Sequence, residues 1–212
     1  MCKQKYTIGI DEAGRGPIAG PVAVGGCMVS NLALQALSKE LIEKFMRGKL
    51  KDSKKLSEKK REEIFKWMLD MQKVGELDFA VSMGSAQTID TIGIVPTISK
   101  AISRVLTSLA RGQENKVFVK LDGGLKAPEV FKCQETIVRG DEREVVISLA
   151  SIAAKVTRDK YMKKLAEQYG ASGKEYGFER HKGYGTKLHY EAISDHGLCN
   201  EHRRSFCKNI KK

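Results

Sequence analysis

Short apolar segments of strand-like composition alternate along this chain with longer segments in which apolar residues recur at helical spacing. We expect strands over residues 6–10, 22–29, 77–83, 117–121 and 136–138. We expect helices over residues 32–46, from residue 57 onward, and over 97–109, 145–169 and 187–195. Strands and helices that interleave along a chain bury their apolar sides in layers, so the pattern predicts an α/β fold.

The last forty or so residues differ from the rest of the chain because they are polar and basic. The full length of 212 residues suits one globular domain with a small appendage. We therefore expect an α/β core over residues 1–170 and a C-terminal helical element over residues 171–212.

An excess of basic residues constrains the partner. The chain has 38 Lys and Arg against 26 Asp and Glu, a formal net charge of +12. The segment from Lys44 to Arg61 has nine basic residues and two acidic ones. The segment from Lys174 to Lys212 has nine basic residues and five acidic ones. This favours a polyanion, and nucleic acid rather than an anionic membrane, because the first segment carries few large apolar residues. Binding should weaken steeply with salt.

The sequence also argues against several classes of protein. No window approaches the roughly 20 apolar residues of a membrane span, and Asp11 and Glu12 interrupt the first apolar stretch, unlike a signal peptide. The five cysteines are odd in number and lack a C-x-x-C pair, which disfavours a disulfide framework or a structural zinc site. We expect a cytoplasmic monomer with reduced thiols, no membrane attachment and no obligate protein partner.

Four acidic residues follow strand-like segments at three separate places. Asp11 and Glu12 close the first segment, Asp122 closes the fourth, and Asp141 follows the fifth. Sites in open α/β sheets gather at strand ends, so these carboxylates converge if the ends are neighbours. Taken singly, Asp122 also suits a turn and Asp141 a helix cap. Their joint appearance favours a site.

Converging carboxylates repel one another unless a cation lies between them. Hard oxygen ligands select Mg²⁺ or Mn²⁺, and about four acids can hold two ions about 3.5–4 Å apart for in-line attack at phosphorus. Successive strand side chains point to opposite faces, so Asp11 and Glu12 can both reach such ions only if the chain turns there. Gly14, Gly16 and Pro17 permit that turn.

The glycine-rich segment 9–16 also comes close to the phosphate-binding loop of NTPases. It departs from the pattern G-x-x-x-x-G-K-[ST] at both final positions, where Arg15 and Gly16 stand. Asp11 and Glu12 inside the loop would also repel a triphosphate. We therefore reject an NTPase.

Motifs spread over residues 8–206 resemble those of the ribonuclease HII family, and they occur in the family's order. They are IGIDEAGRGP from residue 8, AGPV from 19, DSKKLS from 52, LDG from 121, GD from 140, ASIAAKVTRD from 150, GYGTK from 183 and HRRSF from 202. The resemblance implies an RNase H-like fold: a mixed central sheet flanked by helices, with a small C-terminal helical element over the substrate groove.

The resemblance further implies an endoribonuclease that uses Mg²⁺ or Mn²⁺, with two ions per site. Such an enzyme hydrolyses the phosphodiester 5′ to a ribonucleotide, in RNA–DNA hybrids or at ribonucleotides embedded in duplex DNA. Its products carry 3′-hydroxyl and 5′-phosphate ends.

Matching motif positions imply roles for eight residues. The family's catalytic metal ligands correspond to Asp11, Glu12, Asp122 and Asp141. The tripeptide that reads the ribose 2′-hydroxyl, the group that distinguishes RNA from DNA, corresponds to Gly14, Arg15 and Gly16. The tyrosine that packs on the sugar corresponds to Tyr184. Apart from the resemblance, Lys54 and Lys55 lie in the most basic loop, where they suit either contacts with phosphates or a solvated charged surface.

The chain departs from the family pattern at Gly124, where Asn is usual, and at Gly185, where Pro is usual. Because glycine widens the allowed backbone space, Gly185 is expected to loosen the loop that carries Tyr184. Arg158 and Arg203 suit either a contact with nucleic acid or an ion pair with a helix acid. The four histidines lack metal-ligand spacing, and we interpret them as surface, cap or groove residues.

Two other functions remain possible at the level of sequence. One is a nucleic-acid-binding protein without catalysis, which the presence of all four acids disfavours. The other is a DNA-cutting enzyme of the same fold, such as an integrase. The Gly14–Gly16 tripeptide and Tyr184 favour the recognition of RNA over that alternative.

Overall fold

The computed structural model describes residues 4–45, 56–173 and 175–208. Its strands are β1 (Tyr6–Ala13), β2 (Val22–Ser30), β3 (Leu77–Gly84), β4 (Val117–Asp122) and β5 (Gln134–Ile137). Its α-helices are α1 (Leu34–Phe45), α2 (Glu58–Lys73), α3 (Ala86–Ile92), α4 (Ile94–Ala110), α5 (Val145–Ala171), α6 (Phe178–His181) and α7 (Lys187–His196). Short 3-10 turns cover Glu114–Lys116, Gly140–Glu142 and Arg204–Phe206.

The strands form one mixed sheet in the order β3-β2-β1-β4-β5. Strands β1, β2 and β3 pair antiparallel, whereas β4 runs parallel to both β1 and β5. The prediction of an α/β fold with a mixed sheet flanked by helices is confirmed. Because β1, β4 and β5 point the same way, the residues that follow them meet at one edge of the sheet.

Helices cover both faces of the sheet. Helix α4 packs its apolar side on one face, around Ile10, Val105 and Leu121. Helices α1, α2 and α5 pack on the other face. Helix α5 approaches very closely, because a Cβ added at Gly9 would lie 2.2 Å from the carbonyl carbon of Val146. The absence of a side chain at Gly9 therefore sets the distance between β1 and α5.

The element boundaries follow the sequence pattern with two kinds of exception. The helix expected after residue 57 begins there, and the Ser57 hydroxyl accepts a hydrogen bond from the Lys60 amide. Helices α3 and α6 were not expected, because seven and four residues are too few to show helical periodicity. Strand β1 extends three residues beyond its expected end at residue 10, so that Asp11 and Glu12 lie within the strand.

The C-terminal segment packs against the end of α5 through an aromatic cluster that includes Tyr169, Tyr176 and Phe178. It then returns to the loop after β1, where His202 forms a backbone bridge with Ala19. The boundary expected at residue 170 falls in the last turn of α5, and the division into two units stays a prediction. Within the described ranges, no single helix has both the length and the apolar composition of a membrane span. Helices α3 and α4 meet both criteria only when they are counted together, and the pair is bent by 118°.

Candidate active site

Asp11 and Asp122 lie side by side at the end of two neighbouring parallel strands. Ile10 of β1 is in register with Leu121 of β4, so the two acids occupy the next pair of positions, on strands about 4.8 Å apart. Both follow residues that face α4, and alternation therefore turns both towards α5. Ser151 on α5 forms a hydrogen bond with the Asp11 carboxyl. The structure thus brings these two acids together.

Asp141 reaches the same edge through the turn that joins β5 to α5. The amide of Gly140 donates a hydrogen bond of 2.6 Å to Oδ1 of Asp122, which ties the turn to the end of β4. Asp141 itself is buried. It does not cap α5, since the cap position belongs to Glu144. A third chain segment therefore contacts Asp122 through the backbone residue that precedes Asp141.

Glu12 is placed differently from the expectation. The chain does not turn at Asp11 and Glu12, because β1 continues to Ala13 and the left-handed residue is Gly14, with φ 84°. Alternation therefore directs Glu12 to the face opposite Asp11. Burial and the charge of Asp122 still raise the pKa of Glu12, against the effect of Arg15, whose Nη1 lies 3.4 Å from Oε1 of Glu12. Glu12 is therefore within electrostatic reach of Asp122.

The electrostatics of this edge suit a divalent cation. Burial, followed by the charges of Asp122 and Glu12, raises the pKa of Asp11 to about 8, although hydrogen bonds from Ser151 and the Glu12 amide oppose the shift. A carboxyl in this setting ionises readily only when a cation offsets the neighbouring charges. Carboxylate oxygens are also the donors that hard cations such as Mg²⁺ and Mn²⁺ prefer.

The carboxylates are not arranged as a ready-made ligand cage. Among the described residues, the side chains of His, Cys, Asp and Glu do not group in threes or more around a metal position. Asp122 and Glu12 instead direct oxygens to the Gly140 amide and to Arg15. Each of these contacts involves one of the two oxygens of its carboxylate. The residues therefore fit a divalent cation by donor chemistry and proximity.

Two buried arginines hold the glycine-rich loop that follows β1. Arg158 on α5 and Arg203 are both fully buried. Their guanidinium groups bind backbone carbonyl oxygens of this loop, namely those of Ala19 and Pro21 for Arg158 and those of Gly14, Arg15 and Gly20 for Arg203. Burial lowers the pKa of Arg203 to about 10, so it keeps its charge at neutral pH. The sequence suggested nucleic acid or a helix acid as partner, and the structure shows the protein's own backbone instead.

The same arginines fix the conformation of the tripeptide, in which Gly14 is buried and Arg15 and Gly16 are exposed. A Cβ added at Gly14 would lie 2.0 Å from Nε of Arg158. The φ of Gly14 is also left-handed, so glycine is required at this position. The side chain of Arg15 is half exposed, and the space beside Gly16 is open within 4 Å. Of the three residues, Arg15 and Gly16 therefore lie at the surface.

Tyr184 lies in the turn between α6 and α7, and 47% of it is exposed. Its carbonyl accepts hydrogen bonds from the Thr186 amide at 2.8 Å and from Nδ1 of His189 at 2.9 Å. A Cβ at Gly185 would lie 2.6 Å from the hydroxyl of Tyr190, so Tyr190 occupies the space beside this residue. These contacts hold the turn that Gly185 was expected to loosen. The other two candidates, Lys54 and Lys55, lie outside the described residues.

Two histidines lie in the interior rather than at the surface. His189 and His202 are 0% and 1% exposed, and their Nε2 atoms are 3.1 Å apart. The interpretation as surface, cap or groove residues was therefore wrong for this pair. Their spacing of 13 residues carries no signal, because the contact joins α7 to a segment beyond it. Burial lowers the pKa of each to about 4, so both are neutral at pH 7.

We expect the free energy of unfolding to fall as the pH drops from 6.5 towards 4. An unfolded imidazole takes up a proton near pH 6.5, whereas His189 and His202 do so near pH 4. Between these values the unfolded chain binds more protons, so acid favours unfolding. Lowering the pH from 7 to 5 should cost about 2 kcal/mol for each imidazole.

Thermal unfolding at pH 7, 6 and 5 measures this dependence. His202→Asn should make it shallower, and His196→Asn, which removes an imidazole outside the pair, serves as the control. A melting temperature that is the same at pH 5 and pH 7 would contradict the prediction.

The comparisons with known proteins agree with this geometry. A family model described as Ribonuclease HII matches residues 8–209. Ribonuclease HII of Fusobacterium nucleatum is 41% identical over 208 residues, covering 97% of this chain and 87% of that protein. Ribonuclease HII of Bacillus cereus is 42% identical over 201 residues, covering 95% and 68%.

Solved structures show the same fold. The ribonuclease H2 from Pyrococcus horikoshii matches with a TM-score of 0.70 at 25% identity, covering 97% of this chain and 96% of that one. Bst-RNase HIII in complex with Mn²⁺ matches with a TM-score of 0.68 at 16% identity, covering 100% of this chain and 72% of that one. The likeness extends over nearly the whole chain, including both the sheet edge and the C-terminal segment.

Proposed function

Since this chain belongs to the ribonuclease HII family of metal-dependent endoribonucleases, we propose that it cleaves the phosphodiester 5′ to a ribonucleotide. The substrate is an RNA–DNA hybrid or a DNA duplex with embedded ribonucleotides, and the products carry 3′-hydroxyl and 5′-phosphate ends. The observation that supports this most directly is the meeting of Asp11, Asp122 and the turn of Asp141 at one sheet edge.

The catalytic ligands in this proposal are Asp11, Glu12, Asp122 and Asp141. Asp11 and Asp122 supply oxygens from adjacent strands, and Asp141 supplies one from the turn after β5. Glu12, which contacts Arg15, supplies its oxygen when it turns towards the cations. Two Mg²⁺ or Mn²⁺ ions, when bound, supply an activated water and stabilise the leaving oxygen. A Mn²⁺ complex of the structural neighbour Bst-RNase HIII supports the choice of cation.

The substrate contacts in this proposal come from six residues. Gly14, Arg15 and Gly16 read the ribose 2′-hydroxyl, and Tyr184 packs on the sugar. Lys54 and Lys55 contact phosphates. The net charge of +12 supports a polyanionic substrate and predicts a steep salt dependence of binding.

We also propose that the protein acts in the cytoplasm as a monomer without an obligate protein partner. The RNase HII of Archaeoglobus fulgidus was solved in complex with PCNA, which makes a PCNA protein the first partner to test. Gel filtration with and without such a protein distinguishes the two cases.

A DNA duplex that contains one ribonucleotide tests the proposed activity. With Mg²⁺ or Mn²⁺ we expect a single nick on the 5′ side of the ribonucleotide, and with EDTA we expect none, because the four carboxylates cannot replace the cations. Mapping the nick on a sequencing gel locates the bond. An all-DNA duplex of the same sequence is the control and should bind but stay intact. Efficient cutting of that control would favour a DNA-cutting enzyme of the same fold.

A further inference from the structure

Two adjacent residues, His202 and Arg203, connect to the two groups that contact the ribose in the proposed function. The side chain of Arg203 binds the carbonyl oxygens of Gly14 and Arg15, at 2.7 and 3.0 Å. The side chain of His202 reaches the Tyr184 carbonyl through His189. One dipeptide thus contacts the tripeptide directly and the tyrosine turn through His189.

The Arg203 contacts decide which way the tripeptide amides point. In a trans peptide the carbonyl and the following amide N–H point in opposite directions. Because Arg203 draws the carbonyls of Gly14 and Arg15 inward, the amides of Arg15 and Gly16 face outward. These are donors at an exposed position, where a 2′-hydroxyl oxygen can accept a hydrogen bond.

The histidine contacts form a chain with one consistent set of protons. The Cys199 amide can only donate, so Nδ1 of His202, 2.9 Å away, accepts. The proton of neutral His202 is then on Nε2 and is donated to Nε2 of His189. The proton of His189 is therefore on Nδ1, where the Tyr184 carbonyl accepts it. Each donor in this series of hydrogen bonds has an acceptor, so the series fixes the orientation of both imidazole rings and of the tyrosine turn.

The two loops also share backbone hydrogen bonds. The carbonyl of Gly183 accepts from the amides of Ile18 and Ala19, at 2.9 and 3.2 Å. The amide of Arg203 donates to the carbonyl of Ile18 at 2.8 Å. A Cβ at Gly183 would lie 2.3 Å from the carbonyl oxygen of Ala19, so the loops are in direct contact. A shift of either loop would therefore move the other.

We propose that His202 and Arg203 form a coupling element that sets the position of the Tyr184 ring relative to the amides of Arg15 and Gly16. Both are positioning residues, since each acts through another group. The inference rests on the proposed function, in which those two groups contact the same ribose. Recognition of a ribonucleotide then depends on the C-terminal segment, although the segment contributes only Tyr184 to the contact.

A double-mutant cycle between His202 and Tyr184 tests this coupling. In His202→Asn the shorter side chain keeps an acceptor for the Cys199 amide but cannot reach His189. We expect kcat/KM on the one-ribonucleotide duplex to fall about tenfold, which corresponds to a small misplacement of a contact group. Tyr184→Ala should cost more. In the Tyr184→Ala background, His202→Asn should have an effect of less than about twofold, because there is no ring left to position.

Two further variants separate positioning from folding. His202→Gln places an amide donor near the position of Nε2 and should restore kcat/KM to within about threefold of the wild type. His189→Gln keeps an acceptor for His202 but removes the donor to Tyr184, so it should repeat the loss and its dependence on Tyr184. If His202→Asn fails to fold, the cycle is carried out with His189→Gln. His196→Asn is the matched control and should keep the wild-type kcat/KM.

The outcomes of these experiments distinguish a failure of the coupling from a failure of the proposed function. If the wild type does not nick the one-ribonucleotide duplex, the proposed function is wrong. If the wild type nicks it but the losses from His202→Asn and Tyr184→Ala multiply in the double variant, the coupling is wrong and the function stands. A failure of His202→Gln to restore activity while it folds normally would also overturn the coupling.

Discussion

Asp122→Asn should reduce cleavage of the one-ribonucleotide duplex by at least about a thousandfold and leave binding of that duplex nearly unchanged. Asp122 lies between the other acids: it neighbours Asp11 in register, and it holds the turn of Asp141 through the Gly140 amide. An amide keeps one oxygen for that hydrogen bond but removes a negative charge that a divalent cation needs. The loss of metal-assisted catalysis is worth several kcal/mol of barrier.

Single-turnover cleavage and a filter-binding assay measure the two quantities separately. Asp70→Asn makes the same chemical change at an exposed position on α2, beside Lys73, and should leave both unchanged. Turnover of Asp122→Asn within tenfold of the wild type would contradict the assignment of the metal ligands. A parallel loss of binding would show that Asp122 acts on the fold rather than on the reaction.

Gly9→Ala should destabilise the protein by about 3 kcal/mol or more, because the new methyl group would enter the backbone of α5. The added Cβ would lie 2.2 Å from the carbonyl carbon and 2.3 Å from the carbonyl oxygen of Val146. Backbone atoms inside a packed helix cannot move aside as a flexible side chain can, so overpacking is costly. For a chain of this size the melting temperature should fall by about 10 °C.

Calorimetry or thermal circular dichroism tests this result. Gly170→Ala is the matched control, because it makes the same substitution near the end of α5, where the space beside the glycine is open within 4 Å. There the change should be stabilising by about 0.5–1 kcal/mol, since alanine favours a helix over glycine. A Gly9→Ala protein as stable as the wild type would show that β1 and α5 can separate without cost.

Much of the candidate site could be read from the order of residues along the chain. Asp11 and Asp122 follow strand-like runs of the sequence, and the parallel pairing of β1 with β4 places the two residues side by side. Gly14 stands at the position where the backbone becomes left-handed. These are local signals, because the hydrophobic pattern of a strand and the choice of glycine in a turn are decided within a few residues.

Other features of the site could not be read in this way. The sequence placed a turn at Asp11 and Glu12, but pairing with β2 carries β1 on to Ala13. Arg158 and Arg203 were expected to contact nucleic acid or a helix acid, although both are fully buried against carbonyl oxygens of the loop after β1. Every residue has a carbonyl oxygen, so the pattern of side chains does not predict which carbonyl oxygen an arginine will bind.

By itself, the sequence determined the α/β layering, the acids at the strand ends and the family to which the chain belongs. Tertiary structure alone decided which partners the buried arginines and histidines take. His189 and His202 meet because α7 and the segment after it fold onto the tyrosine turn. Contacts of this kind depend on the packing of distant segments, and their geometry is set only when the whole chain has folded.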